Sequence, residues 1–329
     1  MTSQPVYVAS NLPFDAGQWK RLEDAIGPNL MMRVDPADEA ASAEALRKAK
    51  VAILSGDLDE RHLGAPNLRW IHCDHSGLTK SARPEIFRRG LLVTGSAGRS
   101  APALAEHVMM FALLLGSRYP DFYESQKRHE WRRTPDMAGL RALCGRTIGI
   151  LGMGKTGMEL AKRAKAFEMR VLGYRRRDLP VPPGVDRMYS TDKGEGINDI
   201  LKQADILALV LNLSNDTYHL IGRDEIALMK SSAIIINLAR GQVVDQDALV
   251  DALRSNRLAG AGLDVTTPEP LPRDHPLWDV PNLLITPHFT AAVPDRSERS
   301  LAIITENLRR YKAGETLLNL LTPEDVYTY

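Results

Sequence analysis

Apolar residues along this chain come in short runs. "PVYVAS", "KVAILSG" from Lys50, "LRWIHC" from Leu68 and "GLLVTGS" from Gly90 each hold a few consecutive aliphatic or aromatic residues, bounded by Gly, Ser or charged positions. Continuous runs of that length predict strands buried on both faces, as in a parallel sheet. Segments rich in Ala, Leu, Glu and Arg, such as "ASAEALRKA" from Ala41, separate them and predict covering helices. A second series follows Gly145: "RTIGILGMG", "RVLGYR", "ADILALVLNL", "SAIIINLAR", "AGAGLDV" and "NLLITPH". Each of its runs ends where Gly, Asn, Pro or His takes over. In open α/β sheets ligands bind beyond the carboxyl ends of the strands, so the polar residues at those ends are the candidates for chemistry.

Two long helical patterns frame the second series. "APALAEHVMMFALLLGSRY" precedes it, and the amphipathic "ERSLAIITENLRRYKAGE", closed by Gly314, follows it. These predict a chain that leaves a first domain near residue 102 and returns near residue 292, giving segments 1–101, 102–291 and 292–329. The 329 residues suffice for two domains. With 44% hydrophobic and 25% charged residues, a normal core is expected. A formal net charge of +1 argues against a nucleic-acid or anionic-membrane binder. The two cysteines, Cys73 and Cys144, form neither a disulfide framework nor a zinc spacing. The amino terminus has no basic region before a long apolar one, and "VMMFALLLG" is far short of the roughly 20 residues of a membrane span. A cytoplasmic protein is expected.

"IGILGMGKTGMELAKRA" places Gly152, Gly154 and Gly157 in GxGxxG spacing between an apolar strand and an Ala-rich helix, the context that makes this motif a dinucleotide turn. Gly152 permits the turn, Gly154 lets a pyrophosphate approach, and Gly157 lets helix pack on strand. The backbone N–H groups of Lys155 and Thr156 face the phosphates at the positive end of the helix. The next strand ends at Tyr174 and runs into Arg175, Arg176 and Arg177, the first of them 18 positions after Gly157. An acidic residue there would accept from a ribose 2′-hydroxyl. A guanidinium instead suits a 2′-phosphate. Arg175 and Arg176 therefore predict NADP, with NAD as the alternative, and Arg177 is assigned to solvent.

Three more strand ends carry polar residues: Arg240 in "NLARGQVVDQDAL", Asp264 with Glu269 in "GLDVTTPEPLP", and His288 in "LLITPHFTAA". With "ILGMGKTG" and with "RRGLLVTGSAGRSAPALAEH" of the first domain, these stretches resemble the D-isomer-specific 2-hydroxyacid dehydrogenase family, which includes glyoxylate/hydroxypyruvate reductases. The resemblance covers most of the chain in consistent order. It implies an α/β fold of two domains, a Rossmann-type doubly wound parallel sheet inserted in a smaller flavodoxin-like substrate domain, with a homodimer as the assembly. It also implies that Arg240 binds the substrate carboxylate and carbonyl and that Glu269 partners His288. Asp264 and the backbone at Leu211 and Ala239 would line the nicotinamide. Backbone amides at Ser76 and Gly77, in "HCDHSGLTK", would hold the substrate carboxylate.

The chemistry agrees with those roles. Hydride transfer to a 2-oxo acid leaves charge on the carbonyl oxygen, which a protonated imidazole neutralises as general acid. A carboxylate beside the ring favours its charged form and fixes its orientation. Arg240 supplies a planar fork that a lysine does not reproduce. Departures from the family pattern are Thr79 in place of an Asp and Asn212 in place of a Pro. His75 reads equally well as a substrate contact or a loop residue, and Trp131 as packing or as a reach toward a neighbouring subunit. The expected activity is NADPH-dependent reduction of a small 2-oxo acid in a cleft closed by hinges near residues 102 and 292. The rival from another class is a dinucleotide-sensing scaffold of corepressor type with incidental turnover. Formate dehydrogenases have Gln at the position of Glu269, and phosphite dehydrogenases have Lys in the loop of Ser76, so both are disfavoured.

Overall fold

The computed structural model describes residues 5–131, 140–290 and 293–328. The chain divides into two compact units, one holding the residues up to Ser100 and those from Val293 onward, the other Ala101–Ala292. The expected return of the chain at residues 291–292 lies outside the described residues.

The first unit is built on β1 (Val6–Ala9), β2 (Met31–Val34), β3 (Val51–Leu54), β4 (Trp70–Cys73) and β5 (Leu92–Gly95). All pair in parallel in the order β2-β1-β3-β4-β5, the flavodoxin-like arrangement. Helices α1 (Ala16–Ile26), α2 (Glu39–Lys48), α3 (Glu60–Gly64) and α4 (Pro84–Arg88) make the crossovers. Asp15 starts α1 through a capping box with Gln18, each side chain satisfying the other's backbone N–H. β1, β3 and β4 are buried throughout, whereas the edge strand β2 has no fully buried residue.

In the second unit, α5 (Ala101–Gly116) and α6 (Tyr119–Lys127) lead into β6 (Thr147–Leu151), α7 (Lys155–Ala166), β7 (Arg170–Arg175) and β8 (Arg187–Ser190). There follow α8 (Asn198–Gln203), β9 (Ile206–Leu209), α9 (Arg223–Leu228), β10 (Ile234–Asn237), α10 (Gln246–Arg254), β11 (Gly260–Leu263) and β12 (Leu283–Ile285). Helix α11 (Arg296–Ala313) belongs to the first unit. The seven strands are parallel in the order β12-β11-β10-β9-β6-β7-β8. This is the doubly wound dinucleotide-binding order with one added strand, and its switch point lies between β6 and β9. Helix α7 buries Gly157, Leu160, Ala161 and Ala164, one stripe at helical spacing. The core of this unit joins that stripe to Val108, Phe111 and Ala112 of α5 and to the central strands. No described helix is long and apolar enough to cross a membrane.

Candidate active site

The glycine turn stands at the switch point. Gly152 has φ +109°, and a Cβ there would lie 2.7 Å from the backbone of Val210 and Leu211. Only glycine satisfies both constraints, because an L side chain is strained at that φ and would strike the end of β9. A Cβ at Gly157 would lie 2.3 Å from the Gly152 carbonyl oxygen. Around Gly154, by contrast, an added Cβ meets nothing within 4 Å, and no side chain caps the helix that starts at Lys155. An open approach to a positive helix end suits a pyrophosphate.

The end of β7 is fastened to that turn, since the Tyr174 carbonyl accepts from the N–H groups of Gly152 (3.0 Å) and Met153 (3.1 Å). β7 extends one residue beyond Tyr174 and includes Arg175. The Arg175 guanidinium is half-buried and donates to the carbonyls of Leu179 and Pro180 in the following loop, while its buried Nε–H meets no acceptor among the described residues. Arg176 and Arg177 are exposed.

At the end of β10, the buried Asn237 shapes the turn that presents Arg240. Its carboxamide accepts from the Ala239 N–H (2.9 Å) and donates to the Arg240 carbonyl (2.9 Å). A Cβ at Gly241 would lie 2.2 Å from the Thr266 carbonyl oxygen, so this turn packs directly on the segment after β11. There the Thr266 N–H donates to Glu269 Oε1 at 3.0 Å, and Glu269 Oε2 lies 2.8 Å from His288 Nδ1. His288 is half-exposed and has φ +50°, a left-handed conformation that is uncommon outside glycine and recurs at functional sites. Asp264 is buried, and both its oxygens turn toward the His288 loop. Oδ1 accepts from Thr286 Oγ1 (2.6 Å) and the Phe289 N–H (3.0 Å), and Oδ2 from Thr290 Oγ1 (3.2 Å).

In the first unit, Ser76 and Gly77 follow β4, and Ser76 Oγ donates to the Ser96 carbonyl at 3.3 Å. His75 Nε2 lies 3.4 Å from Asp57 Oδ1, and Ser81 Oγ donates to the same carboxylate at 2.6 Å. Partial burial pushes the Asp57 carboxyl up, but the contacts from His75 and Ser81 outweigh it and hold it below its ordinary range. Trp131 is 93% exposed.

Residues 109–290 match the D-isomer specific 2-hydroxyacid dehydrogenase NAD binding domain. Over 329 aligned residues the chain is 32% identical to glyoxylate/hydroxypyruvate reductase B of Yersinia pestis (strain Pestoides F), covering 98% of this chain and 99% of that one. The chain belongs to the D-isomer specific 2-hydroxyacid dehydrogenase family. Another relative, D-3-phosphoglycerate dehydrogenase of Methanocaldococcus jannaschii, is 35% identical over 238 residues, 72% of this chain but only 44% of that longer protein. The structure of a D-isomer specific 2-hydroxyacid dehydrogenase from Xanthobacter autotrophicus Py2, in complex with NADPH and MES, superposes with a TM-score of 0.80 at 26% identity. That likeness covers 98% of this chain and 99% of that one.

As a 2-hydroxyacid dehydrogenase, the chain carries a nicotinamide-dinucleotide domain in its second unit. The geometry adds residues that the sequence reading passed over: Asn237 and Thr266, which orient Arg240 and Glu269, and Asp57 beside His75. The signal for Asn237 was present, since a polar residue closing the buried run "IIIN" needs partners of its own.

Proposed function

We propose that this dehydrogenase reduces a small 2-oxo acid of the glyoxylate or hydroxypyruvate kind to the D-2-hydroxy acid, with NADPH preferred over NADH. The observation that carries the reading is the 2.8 Å contact of His288 Nδ1 with a glutamate whose other oxygen is held by the Thr266 N–H. With Nδ1 engaged by Glu269, the proton available to substrate is the one on Nε2. His288 delivers it to the carbonyl oxygen in reduction and removes it in the reverse direction. A bound dihydronicotinamide supplies the hydride.

Arg240 fixes the substrate carboxylate and polarises the carbonyl. The backbone amides of Ser76 and Gly77 are assigned to the same carboxylate. Gly152, Gly154, Lys155, Thr156 and Gly157 cradle the pyrophosphate, and Leu211, Ala239 and Asp264 lie along the nicotinamide. Arg175 and Arg176 take the 2′-phosphate; the junction of Tyr174 with the glycine turn and the unmet Nε–H of Arg175 support that assignment. The exposed Trp131 supports a homodimer, and the two free thiols fit a cytoplasmic setting.

Purified protein is tested on a panel of 2-oxo acids with NADPH and NADH, with the configuration of the product determined. The expected result is the highest kcat/KM for NADPH with glyoxylate or hydroxypyruvate, and D-glycerate from the latter. NADPH binding without turnover on any 2-oxo acid would instead favour a dinucleotide-sensing scaffold.

A further inference from the structure

Helix α5 lies across β11 in a repeating register. A Cβ at Gly260 would lie 3.3 Å from Leu115, and one at Gly262 would lie 2.6 Å from Phe111. The next members of the two series, His107 and Asp264, also meet, with Nε2 4.0 Å from Oδ1. Helix positions four apart face strand positions two apart because four helical residues rise about 6 Å and two strand residues about 6.6 Å. The glycines let the helix sit close on the sheet. Where they stop, the contact turns polar, one residue past the strand and under the His288 loop.

The protons in that contact can be assigned. Thr286 Oγ1 has one hydrogen, and it points to Asp264 Oδ1 at 2.6 Å. His107 Nε2 lies 3.0 Å from the same Oγ1, so Thr286 accepts there and His107 donates from Nε2. Asp264 in turn accepts from the Phe289 N–H and from Thr290 Oγ1. A continuous chain therefore runs from a helix in the core to both sides of His288. The imidazole is nearly buried and packs on Phe111 with ring centroids 4.9 Å apart. Burial lowers its proton affinity below the ordinary histidine range, against the opposing pull of Asp264.

We infer that His107 is a positioning residue, which fixes the loop carrying His288 by donating from Nε2 to Thr286 and, through Thr286, orienting Asp264. The consequence for turnover rests on the reading of His288 as proton donor; the consequence for the loop does not. Three variants separate the two: His107→Leu removes the donor, His107→Gln restores an N–H at similar reach, and Thr286→Val breaks the chain one step further on. Two properties are measured on the whole protein. These are hydrogen exchange at the Phe289 amide, and kcat, KM and NADPH affinity with glyoxylate.

Loss of one buried hydrogen bond should speed Phe289 exchange in His107→Leu about fivefold or more. It should lower kcat about tenfold or more with NADPH affinity unchanged, since small misplacements of reacting groups cost that much. His107→Gln should recover most of both. The double variant His107→Leu/Thr286→Val should be no slower than the slower single one, because both cut the same chain. Unchanged exchange and kcat in His107→Leu, or a His107→Gln variant as impaired as His107→Leu, would overturn the inference. If His107→Leu does not fold, the other two variants decide, with exchange near wild type in His107→Gln and fast in Thr286→Val supporting it and the reverse refuting it. If the wild type reduces no 2-oxo acid, the proposed function fails by itself, and the exchange measurements decide the positioning role.

Discussion

In the first unit, His72 of β4 is wholly buried and both of its ring nitrogens are taken, Nδ1 by Thr94 Oγ1 at 2.9 Å and Nε2 by Ser96 Oγ at 3.0 Å. Ser96 Oγ donates a hydrogen bond to Asp74 (2.5 Å), whose other oxygen pairs with Arg99 at 2.7 Å. In the second unit, His288 stands half-exposed at a strand end with Nδ1 on Glu269. Both are histidines linked to carboxylates near the carboxyl ends of parallel strands. A ring whose two nitrogens and whose entire surface are consumed inside the protein can only hold structure. A ring oriented through one nitrogen, with the other directed away from its anchor, can exchange a proton with a substrate. The polar environment of the second nitrogen distinguishes the scaffold from the proposed acid.

Short of removing His288 itself, the largest expected effect breaks the oriented histidine through its anchor. Glu269 is an acceptor at both oxygens, from the Thr266 N–H and from His288 Nδ1. Glutamine has one acceptor oxygen for those two donors. Glu269→Gln therefore either sets an N–H against the Thr266 N–H or presents a donor to Nδ1 and reverses the tautomer. Steady-state kinetics should show kcat about 100-fold lower, within the range of general-acid contributions, and little change in melting temperature.

His72 should respond in the opposite sense. His72→Leu leaves the Thr94 hydroxyl proton without its acceptor, although Trp70 Nε1 still donates to that oxygen at 2.9 Å. It also removes a donor from Ser96, at a total cost of about 2–3 kcal/mol seen in denaturant unfolding, while NADPH binding persists. Acid sharpens the same contrast. Burial pushes the His72 imidazole down from its ordinary 6.5 to about 4. Between those values the unfolded chain binds a proton that the folded protein refuses. Stability should therefore fall as pH drops from 6.5 toward 4, by up to about 3 kcal/mol from this group. The fall should be shallower in His72→Leu.

A smaller effect concerns the rim of the second unit. Arg175→Asp removes a donor for a 2′-phosphate and supplies an acceptor for a free ribose. The NADPH/NADH ratio of kcat/KM should fall about tenfold, chiefly through KM for NADPH. Equal use of the two cofactors by the wild type would make this arginine a loop residue only.

The same contrast governs what could be read in the sequence. Interior strands such as "VAIL" and "IIIN" were legible because burial on both faces demands unbroken apolar runs. The two strands missed, "MMRV" and "RMYS", are edges of their sheets, where one flank has no partner strand and polar residues are tolerated. Arg240, Glu269 and His288 stood out as polar interruptions at strand ends. Their supports did not: the Asn237 carboxamide spans three residues, whereas His107 lies 179 positions from Thr286. A bond across that separation has no local spacing to announce it, and it exists only because Gly260 and Gly262 let α5 settle on β11.

The central claim is most directly tested by kcat for glyoxylate reduction in His288→Ala, measured beside NADPH affinity and melting temperature in the same preparation. The account predicts a kcat lower by about 10²- to 10⁴-fold, with NADPH affinity and melting temperature close to wild type. A variant that binds NADPH and still turns over at a near-wild-type rate would contradict it, because His288 would then not be the proton donor.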